Sequence, residues 1–126
     1  MWGKRKRPKA HRTTVDGINF PSRLEAAVYS VMKIRVGGGE LKDLRLQHRV
    51  TLEDKIGRQN WKVDFSATVV TTGETLWVEA KGNLRDRRFI RNRSLWKKNG
   101  PGKLEVWSGS YKWPTLVETI IPKGME

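Results

Sequence analysis

The chain is predicted to fold as a mixed α/β domain, a central mixed sheet flanked by helices. Three observations carry that prediction. Apolar residues recur at helical spacing from Ser22 to about Val36, alternate with period two through three later segments, and return to helical spacing after Asp86. A helix, three strands, a second helix and a further strand in that order do not fit an all-α or all-β architecture. At 126 residues the chain is long enough for one domain with a single core. Residues 1–14 form a basic arm and residues 15–126 the folded unit.

Each element follows from local chemistry. Val15 to Phe20, around Asp16-Gly17, reads as a short turn or edge hairpin. Ser22 caps a helix whose stripe is Leu24, Ala27, Val28, Val31, Met32 and Arg35, and Gly37-Gly38-Gly39 ends it. Leu41 to Glu53 alternates as a strand, with Leu44, Leu46, Val50 and Leu52 toward the core and His48 at its rim. Gln47 shares the other face with Arg45 and Arg49, where it either contacts DNA or is solvated. Asp54 to Asn60 turns the chain back. Trp61 to Val70 and Thr75 to Lys81 are strands joined by a Thr71-Thr72-Gly73-Glu74 turn. A helix from about Asp86 to Lys98 places Phe89, Ile90 and Trp96 inward and Arg87, Arg88, Arg91 and Lys98 outward. Lys103 to Trp107 is a strand, and Pro114 to Ile121 a short helix or extended tail.

The second hairpin concentrates the chemistry. A loop centred on residues 71–74 sets Asp64 opposite Lys81 and diagonal to Glu79, with all three on one sheet face. Val63, Phe65, Ala67 and Val69 then share the other face with Leu76, Val78 and Ala80, an apolar set suited to a core. Two carboxylates can hold a hard divalent cation such as Mg²⁺. Such an ion stabilises charge on a phosphate and activates water, and a lysine two residues on can orient that water or offset developing charge. A solvated cross-strand Asp–Lys pair is the plainer alternative. Glu25 also has two readings. It completes a Ser22-x-x-Glu25 capping box, or, one turn into the helix, it points at the sheet acids. Among the six tryptophans, Trp77 falls on the Glu79 face, where it would stack on a base or flank the metal.

Charge narrows the substrate. The formal net charge is +13, from 26 basic and 13 acidic residues. Lys4, Arg5, Lys6, Arg7, Lys9 and Arg12 form one cluster; Lys81, Arg85, Arg87, Arg88, Arg91, Arg93, Lys97 and Lys98 form another against Asp86 alone. Such clusters favour nucleic acid with a salt-sensitive affinity, although the first is equally readable as a solubilising tail or a localisation signal. The absence of cysteine excludes disulfides and thiolate zinc sites, and two histidines exclude a histidine-rich metal centre. No apolar stretch reaches membrane length, so a soluble protein of a reducing compartment is expected.

The order Glu25, Asp64, Glu79-x-Lys81 resembles the PD-(D/E)XK nuclease superfamily. Phe20-Pro21-Ser22-Arg23-Leu24-Glu25, Val63-Asp64-Phe65 and Val78-Glu79-Ala80-Lys81-Gly82 look most like the small phage endonucleases of the endonuclease I type, which resolve Holliday junctions. The likeness spans roughly residues 18–98. It implies a restriction-endonuclease-like sheet, and catalytic roles for Glu25, Asp64, Glu79 and Lys81. Mg²⁺ or Mn²⁺ would be held by Asp64, Glu79, Ala80 and Glu25. It also implies a homodimer cutting branched DNA, in the cytoplasm of a bacterial host if the chain is phage-encoded. Val63 stands where the superfamily usually has proline. The glutamate that the endonuclease I group carries between helix and aspartate has Arg45 and Gln47 in its place.

The expected function is therefore a metal-dependent DNA endonuclease, structure-selective for branched DNA. Lys4, Arg5, Lys6, Arg7, Arg85, Arg87, Arg88, Arg91 and Gln47 are the expected nucleic-acid contacts. A nicking, restriction or packaging-associated enzyme of the same superfamily shares the site. A non-catalytic basic nucleic-acid binder shares only the charge.

Overall fold

The computed structural model describes residues 12–125. Lys4, Arg5, Lys6 and Arg7 lie outside them. The first strands, β1 (Thr13–Val15) and β2 (Ile18–Phe20), form a small antiparallel hairpin. Its turn puts Asp16 at φ 52° and Gly17 at φ 74°, the left-handed pair that a two-residue hairpin loop needs. Because β1 begins at Thr13, the first strand starts inside the segment assigned to the arm.

Helix α1 (Arg23–Gly37) follows, with Ser22 accepting from the Glu25 N–H at 3.1 Å. Its inward face is Leu24, Glu25, Ala26, Val28, Tyr29 and Met32, so Ala27 and Val31 are only half-buried. Arg35 turns out of the apolar stripe to grip Glu105 and Glu40.

A five-stranded mixed sheet forms the centre, in the order β3 (Leu41–Glu53), β4 (Arg58–Val69), β5 (Thr75–Ala80), β6 (Leu104–Ser110), β7 (Trp113–Ile120). All neighbours are antiparallel except β5 and β6, which α2 (Arg87–Asn99) connects as a crossover. The last segment, expected as a short helix or extended tail, is thus extended but paired into the sheet as a strand. It finds hydrogen-bond partners along β6, which a terminal helix would not have offered. The Asp54–Asn60 turn is also shorter than expected. Asp54 Oδ1 accepts from the N–H groups of Ile56 and Gly57, and β4 starts at Arg58.

Each sheet face carries a core. Under α1 lie Phe20, Leu24, Val28, Tyr29, Met32, Phe65, Ala67, Leu76 and Val78. Under α2 lie Val50, Leu52, Trp61, Val63, Trp77, Leu95, Trp96, Leu104 and Val106. Val63 therefore leaves the set it was expected to share with Phe65 and Ala67. Within β3, Leu44 and Leu46 pack with the first core, whereas Val50 and Leu52 belong to the second. The change of side falls at Gln47 and Asp64, and Gln47 has φ 55° there, outside the extended region. On α2, Ile90 is 46% exposed, and Leu95 and Asn92 take the inward positions instead. Trp77 does point to the Glu79 face, but α2 covers it. Its ring packs at 5.6 Å from Trp96, so it is not available to stack on a base.

Candidate active site

The β4–β5 register differs from the expected one by two residues. Phe65 pairs with Val78 and Ser66 with Trp77. The cause is the turn: the Val69 N–H donates to the Glu74 carbonyl, and the Gly73 N–H to the Val69 carbonyl, both at 2.8 Å. Val70 thereby joins the loop, with Gly73 at φ 74°. A shift of two keeps every side chain on its face. It brings Asp64 level with Glu79 rather than with Lys81.

Beyond Phe65 and Val78 the two strands stop exchanging backbone hydrogen bonds, and side chains take over. The Asp64 N–H donates to Glu79 Oε1 at 3.1 Å, and the Ala80 N–H donates to Asp64 Oδ2 at 2.9 Å. Each carboxylate stands in for a ladder carbonyl of the opposite strand. Ala80 thus supports the site through its N–H, while the other side of β5 continues along β6. Glu79 is further fixed by Trp61, whose indole Nε1–H reaches Oε2 at 3.3 Å.

Glu25 arrives from α1. Its N–H satisfies the Ser22 cap, but its carboxyl does not close the capping box. Instead Oε1 receives the Gln47 amide at 3.5 Å, and the carboxyl lies close enough to Asp64 for that acid to raise its proton affinity. Gln47, expected as a nucleic-acid contact, is thus seated on Glu25. Its φ of 55° is a conformation that a non-glycine residue seldom holds in a strand and that recurs near functional sites.

Three carboxyls therefore form a row, with Asp64 between Glu25 and Glu79. Burial pushes Glu25 up to about 9, reinforced by the closeness and charge of Asp64. Asp64 is raised to about 7, first by burial and then by the Glu79 charge. Glu79 is raised to about 7 by burial, against the opposing pull of the Asp64 and Trp61 donors and the Lys81 charge. Among the described residues no three acids or histidines are already gathered around one ion-sized position. The donor set nevertheless fits a divalent cation. Magnesium takes one or two protein carboxylates and keeps its waters. Glu25 Oε2 is buried with no hydrogen-bond partner, and among the described residues no Lys or Arg forms a salt bridge with Glu25, Asp64 or Glu79.

Lys81 shares the Glu79 face but is drawn aside, with Nζ 2.9 Å from Asp86 Oδ2. Asp86 also caps α2, accepting from the N–H groups of Arg88 and Phe89. A cleft of about 240 Å³ opens here, walled by Lys81, Asp86, Arg88 and Lys62, with Trp61, Phe89, Asn92 and Glu79 beneath. Arg85, Arg87, Arg88 and Arg91 are all exposed along the start of α2. Trp61, Lys62, Asp86 and Asn92 were not singled out from sequence. Only the capping position of Asp86, five residues after Lys81, was a usable signal.

The chain belongs to the DUF1064 family, described as proteins of unknown function, whose model matches residues 5–108. No curated protein and no solved structure matches it. Among the described residues no helix is long and apolar enough to cross a membrane.

Proposed function

We propose that this DUF1064 protein is a metal-dependent DNA endonuclease, selective for branched DNA. The observation that carries this reading is the row of carboxyls, Glu25 and Glu79 buried and Asp64 half-buried between them, beside a cationic cleft. Crowding three acids together, two of them buried, is costly unless a cation offsets them. Asp64 and Glu79 would hold Mg²⁺ or Mn²⁺, with Glu25 as the third carboxyl. When bound, the ion supplies charge stabilisation at the scissile phosphate and activation of water.

The protein's own groups do the rest. Trp61 and the Asp64 N–H fix the Glu79 carboxylate, and the Ala80 N–H fixes Asp64. Lys81, released from Asp86, offers a mobile ammonium to orient the attacking water or to offset charge on the leaving oxygen. Arg85, Arg87, Arg88 and Arg91 supply phosphate contacts that hold the strand without reading bases. Two copies acting together would cut opposing strands of a junction, and the endonuclease I likeness supports that arrangement.

The test is incubation with a four-way junction and a matched linear duplex, each with Mg²⁺ and with chelator. Paired cuts confined to the junction and lost with chelator are expected. Equal cutting of both substrates points to a general nuclease of the same superfamily. No cutting of either in Mg²⁺ or Mn²⁺ leaves a basic nucleic-acid binder.

A further inference from the structure

We infer that the cleft between β4, the end of β5 and α2 is a subsite for one unstacked nucleotide, so that the preferred DNA carries a locally unpaired base. The inference rests on the nuclease reading of the adjoining Glu79 and Lys81 and narrows its substrate. The key residue is Asn92. It is 2% exposed, lines the cleft from α2, and its Oδ1 is buried without a hydrogen-bond partner. An amide oxygen left in that state bears the desolvation penalty of a hydrogen bond it has not regained. The inward neighbours on the same helix are Phe89, Leu95 and Trp96, so an apolar residue would pack there without that cost. A donor from outside the chain answers it.

The surroundings specify which donor. Trp61 and Phe89, themselves only 7% and 5% exposed, close the floor with apolar ring atoms, edge-to-face with ring centres 6.3 Å apart. Lys62 and Arg88 stand exposed at the rim and, among the described residues, neither makes a salt bridge. A nucleobase presents flat apolar faces and an in-plane N–H, and its own phosphate lies one sugar away. Those three features match floor, amide and rim. Free phosphate matches only the rim, because it brings no N–H to Asn92. A base inside a duplex is stacked and paired, and the cleft of about 240 Å³ cannot admit a helix. A bulged, frayed or junction base is free to enter at little cost.

The experiment compares the affinity of the full chain, in chelator, for a hairpin duplex with one unpaired adenine and for the same hairpin fully paired. Wild-type protein is expected to favour the bulged DNA by about fivefold, the scale of one neutral hydrogen bond. Asn92→Leu is expected to lose that preference while binding paired DNA as before. Equal wild-type affinity for the two DNAs, or an undiminished preference in Asn92→Leu, overturns the inference. Should Asn92→Leu not fold, nuclear magnetic resonance of the wild type decides. Deoxyadenosine monophosphate should shift the Trp61 indole N–H and Asn92 amide signals, and deoxyribose phosphate should leave Asn92 unmoved. A nucleotide that moves neither signal, or a shift of Asn92 by deoxyribose phosphate alone, overturns it too. Because binding is read without metal, a protein that discriminates but never cuts keeps this subsite and loses the nuclease reading. One that cuts without discriminating does the reverse.

Discussion

Asp64 sits between two other carboxyls, and each of the three releases its proton at higher pH than an isolated acid would. The linkage to stability has a definite sign. A carboxyl raised above its unfolded value adds stability that is complete below pH 4.5 for a glutamate and fades as pH climbs through the folded value. Metal-free protein should therefore weaken as pH rises through about 7, where Asp64 and Glu79 ionise, and again toward about 9, where Glu25 does. Glu25→Gln removes the last and largest of these losses. Thermal unfolding in chelator should show the variant melting above wild type near pH 9 (about the Glu25 value) and level with it near pH 5 (roughly the unfolded value). A lower melting temperature for Glu25→Gln at alkaline pH would contradict the buried-acid account. In turnover, Asp64→Asn and Glu79→Ala should each reduce cutting on the order of a thousandfold or more. Their DNA affinity should hold or improve, since repulsion of phosphate falls. Trp61→Phe keeps the ring and removes the donor to Glu79, and should cost roughly tenfold in cutting rate. Asp64, Glu79 and Glu25 were legible in sequence because strand parity and helix phase place them. Trp61, Asp86 and Asn92 were not, since their roles depend on which layer α2 covers.

At the scale of elements, the helices and β3 were readable to within a residue or two, because capping residues and alternation mark their ends. What sequence misplaced was register. One residue of turn, Val70, decides whether Asp64 meets Lys81 or Glu79, and no side-chain pattern distinguishes the two, since both keep the same faces. Val63 and Ile90 were misassigned for a related reason. Alternation assumes a regular strand, whereas β3 and β4 change layers at Gln47 and Asp64, and α2 is rotated to bury Asn92. The crossover from α2 into β6 depends on a close approach. A Cβ at Gly102 would lie 2.7 Å from the Trp77 ring and 3.2 Å from the Thr75 carbonyl. Gly102→Ala should accordingly destabilise by about 1–3 kcal/mol in urea unfolding. An unchanged midpoint would mean that this loop is free to move away.

Over the whole molecule, +13 of formal charge would make the proposed affinity for DNA a matter of counterion release. Binding should weaken linearly on a log–log plot against salt. Replacing Arg87 or Arg91 by alanine should reduce that slope by about one for each phosphate no longer neutralised, equally for all sequences. A slope unaffected by either change would place the DNA on another face. The net positive charge and the mixed α/β class were evident from composition and patterning, whereas any pairing of copies on a junction would be a property of an assembly. The proposed chemistry turns on a local point, that Glu25, Asp64 and Glu79 would hold a divalent cation between them. Its most direct test is calorimetric titration of Mn²⁺ into wild-type and Asp64→Asn protein at about pH 8, just above the raised Asp64 and Glu79 values, in two buffers of different ionisation heat. Saturable binding with proton release in the wild type, and its loss in Asp64→Asn, is the expected result. Absence of binding to the wild type, or equal binding to both, would contradict the claim.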